Sequence, residues 1–413
     1  MARSHVLVVG AALAADFASA HPEVHTSVLC HRPAEPKSPG VFLREINVER
    51  NSAPEAWLDS AREISNTCPV DRVVAFGENE QIIAATIATH LGLDGHHSID
   101  VARAVADKIE MRKRLLACGL GTVGFAEAPD FHAIERFAHG QSENRCLVKP
   151  AMGTGSRGIS ELVDLRQCET AFNRARDVAH PIAGTQRVMV EQFKPGRQLS
   201  VECISEAGEH RPVAITQKYT DERTFAEVGH CVPADLSTAE VSAVVTGTVA
   251  ALDALGVRYG PTHTELVLGK AGRVDLIETH TRLGGHGIPD LVADAIGIDL
   301  YDLTFAQVAG ASVISRVSEI LPRAGSSRAV WFGYSPVGGR VRSVRSAVQS
   351  EAQVEVLVNR GDLVTADMTR SSRVVAARAS GPTEADAMRK AAQAVSEVTL
   401  VIECSMTAQL LGY

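Results

Sequence analysis

Apolar positions divide the chain into two regimes. Up to residue 91, short apolar runs alternate with helix-length segments: His5–Val9 and Ser27–Cys30 read as strands, and the alanine-rich stretch through Ala20 and Pro54–Ser65 as helices. Val73–Phe76 and Glu80–Leu91 repeat the strand–helix pair. Such alternation predicts a small parallel sheet with helices on both faces. Gly10 follows the first strand, but Gly10-Ala11-Ala12-Leu13-Ala14-Ala15 lacks the later glycines that let a backbone approach a pyrophosphate, which argues against a dinucleotide site. Glu78 falls just past a strand's carboxyl end, where open sheets place ligand contacts, and equally near a helix start, where the macrodipole favours a carboxylate.

From Ser98 the pattern turns helical; Ser98 and Asp107 cap two successive helices and Gly119 ends the second. Arg145–Lys149 then reads as a strand, followed by a loop with Gly153, Thr154, Gly155, Ser156 and Gly158, whose amides can turn inward on anionic oxygens beside Lys149. The lysine precedes the glycines, so this is not a Walker loop. An apolar strand ends at Glu191-Gln192-Phe193. Gln217-Lys218-Tyr219 and Glu227–Pro233 flank a polar loop, and Thr238–Leu255 reads as a helix.

Thr262–Leu268 and Arg273–Glu278 then form a predicted hairpin across Gly269–Gly272. If Leu268 faces Arg273, Glu265 lies opposite Leu276, and alternation puts Glu265 and Glu278 on one face. Carboxylates so close repel unless a cation lies between them, and hard oxygen ligands suit Mg²⁺. A surface hairpin with solvated charges would show the same spacing. If the strand continues, His280 and Arg282 project from the same face, where Arg282 can hold a phosphate or carboxylate oxygen. Two helical stretches through Ala309 follow the Gly284-Gly285-His286-Gly287 turn. From Ser327 the pattern is strand-rich: Ala329–Tyr334, Gly338–Val344, Val354–Leu357 and Arg373–Ser380, then a helix at Thr383–Glu397 and a strand at Val398–Glu403.

With 413 residues, 45% of them hydrophobic, the chain can bury a sizeable core. A net charge of −8 argues against a nucleic-acid or anionic-membrane partner. No apolar run approaches the ~20 residues of a membrane span, and the amino end lacks signal-peptide character, so a cytoplasmic protein is expected. The eight cysteines are scattered with no Cys-x-x-Cys pair, signalling neither a zinc site nor a disulfide framework.

Glu265, Glu278 and Arg282, followed by Gly284-Gly285, resemble the metal-binding end of ATP-grasp enzymes, with a spacing most similar to the branch containing L-amino acid ligases. The resemblance implies an α/β ATP-grasp fold: a Rossmann-like parallel-sheet domain over 1–97, linker helices over 98–120, a lid over 121–195, and a large subdomain over 196–413. From about residue 325 that subdomain is similar to the carboxyl-terminal part of biotin carboxylase-like proteins. By the same resemblance, Lys108, Lys149, Gly153-Thr154-Gly155-Ser156, the Glu191-Gln192-Phe193 hinge and Gln198 hold ATP. Glu265, Glu278 and His280, where many relatives have Asn, hold Mg²⁺, as two ions, with Mn²⁺ as the alternative. Lys218, His230 and Arg282 are expected to be catalytic, and Glu227, His230, Arg282, Gly285 and His286 to form the substrate pocket. The implied reaction is ATP-dependent carboxylate–amine ligation of amino acids through an acylphosphate, releasing ADP and phosphate. The implied partners are small molecules, with no nucleic acid or membrane, in a homodimer. A purine-pathway formyl or carboxyl ligase and a non-catalytic ATP-binding regulatory protein are the alternatives; a biotin-dependent carboxylase finds no biotinyl Met-Lys-Met segment here.

Overall fold

The computed structural model describes residues 3–31, 40–49, 52–93, 97–141, 145–178, 187–317, 326–345, 351–368 and 372–403. The alternating amino-terminal pattern becomes β1 (His5–Val9), α1 (Ala14–Ala20), β2 (His25–Cys30), β3 (Arg44–Asn47), α2 (Pro54–Thr67), β4 (Arg72–Val74) and α3 (Gln81–Leu91). Its four strands form a sheet in the order β3-β2-β1-β4, with each pairing parallel. β1 is buried along its whole length, as a strand covered on both faces must be. The strand β3 was not foreseen; none of its residues is fully buried, so it carries no long apolar run to read.

Helices α4 (Ile99–Ala106) and α5 (Lys108–Ala117) follow. The Ser98 hydroxyl accepts from Val101 N–H, and Asp107 accepts from Ile109 and Glu110 N–H, so both expected caps form. Next come β5 (Phe125–Ala128), α6 (Phe131–His139), β6 (Cys146–Pro150), β7 (Ser160–Leu162), α7 (Cys168–Arg176) and β8 (Val188–Gln192). They build an antiparallel sheet ordered β5-β8-β6-β7 with its own core around Ile134, Val148 and Val190.

The remainder is organised by one eight-stranded antiparallel sheet. It contains β9 (Arg197–Glu206), β10 (Glu209–Thr220) and β11 (Glu227–Val232), then, after α8 (Thr238–Leu255), β12 (Gly260–Leu268) and β13 (Val274–His280). After α9 (Ile288–Ile296) and α10 (Leu300–Ala309) come β14 (Ser327–Tyr334), β15 (Gly339–Arg345), β16 (Gln353–Val356), β17 (Leu363–Val364), β18 (Arg373–Gly381), α11 (Glu384–Ser396) and β19 (Thr399–Glu403). The large sheet runs β13-β12-β9-β10-β11-β14-β18-β16, while β17-β15-β19 form a small sheet of their own. Helix α8 is apolar enough in length and composition to cross a membrane, but its Val244, Leu252 and Leu255 are buried in the core against Leu199 and Leu266 of the sheet. Phe305 of α10 packs edge-on against Phe17 and Phe76, which ties the amino-terminal sheet to the large one. None of the seven described cysteines forms a disulfide, and Cys404 lies outside the described residues.

The β12–β13 hairpin departs from the expected register. Leu268 pairs with Val274 rather than Arg273, and Leu266 rather than Glu265 pairs with Leu276. Continued unbroken, that register would set Glu265 opposite Ile277, on the wrong side for Glu278. A β-bulge at Ile277 absorbs one residue, and Glu265 becomes the direct cross-strand partner of Glu278. Arg112 of α5 holds the bulge: its Nη1 donates to the Leu276 carbonyl (2.7 Å) and its Nη2 to the Ile277 carbonyl (3.1 Å). Its Nε and Nη2 also donate to Glu191 Oε2 at 3.2 and 3.0 Å. One buried guanidinium thus joins α5, β8 and the hairpin.

Because Arg112→Ala leaves a buried carboxylate and two carbonyls short of a partner, it is expected to remove about 3–5 kcal/mol of local stability. Amide hydrogen exchange should accelerate across β8 and β13 above the rest of the chain; acceleration shared evenly by the whole molecule would contradict the clamp.

Candidate active site

Glu265 and Glu278 lie between cations. Lys218 Nζ contacts Glu265 Oε1, and His263 Nε2 lies 3.2 Å from the same oxygen. Lys108 Nζ is 2.8 Å from Glu278 Oε2 and donates to the Gly153 carbonyl at 3.1 Å. His280 Nε2 is 3.1 Å from Glu278 Oε1. Burial alone would push the Glu265 carboxyl up, yet Lys218 and His263 hold it down at about 2. Glu278 is likewise held well below the usual carboxylate range, chiefly by Lys108 and His280 against its burial. Two ionised carboxylates facing each other at the wall of a water-accessible cavity are a donor set suited to Mg²⁺, and His280 adds a nitrogen beside them.

Behind this pair stands a second buried dyad. His263 Nδ1 lies 2.7 Å from Glu202 Oε1, and Glu202, despite burial that opposes any free charge on the ring, raises the His263 imidazole to about 9. The turn after β13 crosses this dyad at Gly284, where a Cβ would come within 2.7 Å of Glu202 Oε2. The glycine is there because the backbone passes too close for any side chain.

On one side of the carboxylates opens a cavity of about 740 Å³ lined by Lys108, Lys149, Gly153–Ser156, Glu191–Phe193, Gln198 and Lys218. The structure therefore brings together every residue expected to hold ATP. Glu191 is fully buried with its carboxylate committed to Lys149 Nζ (2.6 Å) and Arg112, so its side chain orients the lysine. Backbone N–H groups of Gln192 and Phe193 already donate to Gly124 and Arg145 carbonyls, at 2.9 and 3.2 Å. The glycine loop touches the connection between β10 and β11 through the Ser156 hydroxyl, which donates to the Phe225 carbonyl at 2.9 Å.

A second cavity, of about 780 Å³, shares Gly155, Gln198, Glu265 and Glu278 with the first and extends to Glu78, Glu227, His280, Arg282, Gly285 and His286. Strand β13 ends at His280, so Arg282 does not continue its face as expected; its Nε and Nη2 donate to Glu78 Oε2, at 2.9 and 2.5 Å. Glu78 therefore belongs to the site, reached from the amino-terminal sheet. Burial pushes its carboxyl up, but His280 and Arg282 outweigh that and hold it below the ordinary range. Glu227 contacts His286 Nδ1 and Lys218 Nζ, the latter at 2.5 Å. His230, expected to touch substrate, does not line the cavity; it is wholly buried, its ring stacked on His286 with centroids 5.8 Å apart. His286 lines the cavity instead.

Residues 142–290 match a family model described as an ATP-grasp domain. That stretch carries the sequence pattern of an ATP-grasp domain. Its sequence is 25% identical over 278 residues to the alanine–anticapsin ligase of Bacillus subtilis (strain 168), a match covering 62% of this chain and 57% of that protein. The chain thus spans little more than half the length of this curated relative. The chain superposes on the L-amino acid ligase from Bacillus licheniformis with a TM-score of 0.82 at 21% identity, over 98% of this chain and 100% of that one. Its fold is also similar to the biotin carboxylase domain of 2-oxoglutarate carboxylase from Hydrogenobacter thermophilus, solved with MgADP, at a TM-score of 0.69 and 16% identity over 97% and 91% of the chains. At these identities the likeness is one of fold, and it agrees with the α/β ATP-grasp class expected from the residues.

Arg112, Glu202 and His263 were not singled out from sequence. Arg112 falls one helical turn after Lys108, and His263 two residues before Glu265 on the same strand face; these spacings were the available signals. Gly284→Ala places a methyl against Glu202 and His263 Nδ1 (3.0 Å) and is expected to destabilise the protein by about 1–3 kcal/mol. Gly285→Ala, with nothing within 4 Å of its Cβ, should be nearly neutral. Thermal unfolding of the two variants compares them directly, and equal midpoints would refute the close approach.

Proposed function

We propose that this chain is an ATP-dependent carboxylate–amine ligase of the ATP-grasp kind that joins amino acids through an acylphosphate. The observation that carries the reading is the Glu265–Glu278 pair at the junction of two cavities, one rich in lysines and glycine amides, the other acidic and imidazole-lined. The names of the relatives, an alanine–anticapsin ligase and an L-amino acid ligase, support it.

In this reading the segment 121–195 closes over the nucleotide. Lys108, Lys149 and the Gly153–Ser156 loop bind phosphates, and Gln198 meets the ribose. Burial pulls the Lys149 ammonium below its usual range despite Glu191, and an incoming phosphate adds a second negative partner. Glu265, Glu278 and His280 would hold Mg²⁺, which would supply charge neutralisation at the phosphates. Glu227 seats the ammonium of the carboxyl donor, with His286 and Gly285 shaping the pocket. A donor carboxylate oxygen attacks the γ-phosphorus and the β–γ bridging oxygen departs with ADP. The amine then attacks the acyl carbon, loses a proton, and phosphate leaves carrying one oxygen of the donor carboxylate. Arg282, aimed by Glu78, faces the oxygens of the acylphosphate, and Lys218 is released to them from its two carboxylates.

Two measurements test this. Glu278→Ala should lower ADP release over a panel of amino-acid pairs by at least about a hundredfold at saturating Mg²⁺, with the fold intact. Ligation of an ¹⁸O-labelled amino-acid carboxylate should place label in the released phosphate. Unlabelled phosphate during confirmed ligation would exclude the acylphosphate route.

A further inference from the structure

Glu227, His230 and His286 bring three ligand atoms within 4.8 Å of one another, although they come from a strand and a distant turn. On a regular strand, residues three apart point to opposite faces. A β-bulge at Val228 removes that mismatch: Thr220 pairs with Glu227 and Tyr219 with Gly229, so Glu227 and His230 reach one face. His286 Nδ1 contacts Glu227 Oε2, and His230 Nε2 lies 3.8 Å from the same oxygen. The two imidazoles stack at an interplanar angle of 6°, and Phe332 stands edge-on to both.

His230 gives the second, independent indication. It is fully buried, and neither of its ring nitrogens has a hydrogen-bond partner. A buried imidazole without a partner loses its hydration for nothing, unless a group that enters the site supplies the contact. Burial lowers both histidines, His230 to about 3, which leaves their rings neutral and their lone pairs available at neutral pH.

We propose that Glu227, His230 and His286 form a two-histidine, one-carboxylate site for Zn²⁺, distinct from the Glu265–Glu278 position. Two imidazoles and one carboxylate with open positions are a ligand set that zinc accepts, whereas Mg²⁺ prefers oxygen. Tetrahedral bonds of about 2.0 Å set ligand atoms roughly 3.3 Å apart. The 3.8 Å His230 gap must close slightly and the His286 contact must open. Lys218 grips Glu227 Oε1 from the other side and orients the ligating carboxylate, while Tyr334 and Arg373 donate to the Glu227 carbonyl at 2.7 and 3.2 Å and fix its backbone. Arg373 also opposes the cation, because its Nη2 lies 3.8 Å from Glu227 Oε2. Resting on the ligase reading above, zinc there occupies the seat of the donor ammonium and blocks it.

The test titrates the full chain with Co²⁺ and Zn²⁺ while millimolar Mg²⁺ saturates the oxygen ligands. Co²⁺ should develop the intense visible bands of a four-coordinate site with one equivalent bound, and Zn²⁺ should abolish them. Glu227→Gln and His286→Ala should weaken binding at least about tenfold. Arg373→Gln should tighten it severalfold, which no loss of folding can imitate. Unchanged binding in His286→Ala, absence of the bands, or weakening in Arg373→Gln would each overturn the site. Alanine and other amino-acid donors should compete with the metal. If the metal binds as described and no donor displaces it, the zinc site stands and the role of Glu227 as donor seat falls.

Discussion

Burying a carboxylate is unfavourable unless a cation accompanies it, and that constraint shapes the centre of this protein. Glu278 is matched by Lys108, Glu191 by Lys149 and Arg112, Glu227 and Glu265 by the shared Lys218, Glu202 by His263, and Glu78 by Arg282. Several of these pairs join strands of one sheet, but those of Arg112, Lys108 and Arg282 reach between segments, so they also hold the molecule together. Arg112 and Lys149 join α5 and the small antiparallel sheet through Glu191, and Arg282 reaches the amino-terminal sheet through Glu78. None of these pairs is an exposed surface contact, so each contributes through what its loss would leave unpaired in the interior.

Such a network is suited to receiving a polyanion together with a divalent cation. Lys108 and Lys218 each pair with a carboxylate of the Glu265–Glu278 pair, and Lys149 with Glu191, so under the proposed reading phosphates and a metal would replace internal partners of Lys108 and Lys218 without leaving a charge uncompensated. The site thereby holds ionised carboxylates ready for a cation, with Glu265 down at about 2. Preorganisation of this kind places the reorganisation in folding rather than in the chemical step.

Two β-bulges decide where the key carboxylates point. At Ile277 the bulge aligns Glu265 with Glu278, and at Val228 it brings Glu227 to the face of His230. In each case one surplus residue changes which side chains meet, because side-chain direction in a strand repeats every two residues. The first bulge is fastened by a side chain 164 residues away in sequence, Arg112 on Leu276.

Sequence alone determined the parts that depend on local periodicity and on chemistry carried by neighbours in the chain. Alternating strands and helices up to Leu91, the Ser98 and Asp107 caps, the hairpin and the carboxyl-terminal strands follow from hydrophobic spacing and capping residues, and the glycine loop beside Lys149 follows from composition. The pairing of Glu265 with Glu278 was legible as a common face, but through a register that the structure does not adopt. What only tertiary structure decided was anything fixed by an unpaired residue or a distant partner: the bulge at Ile277, the turn that takes Arg282 off the strand and onto Glu78, and the depth of His230 behind His286. Periodicity cannot report an inserted residue whose stabilising contact is Arg112 on another helix, nor which of two histidines lies nearer solvent when both flank the same carboxylate. Those outcomes are set by burial and charge matching between segments far apart in the chain, and they exist only once the sheets have closed.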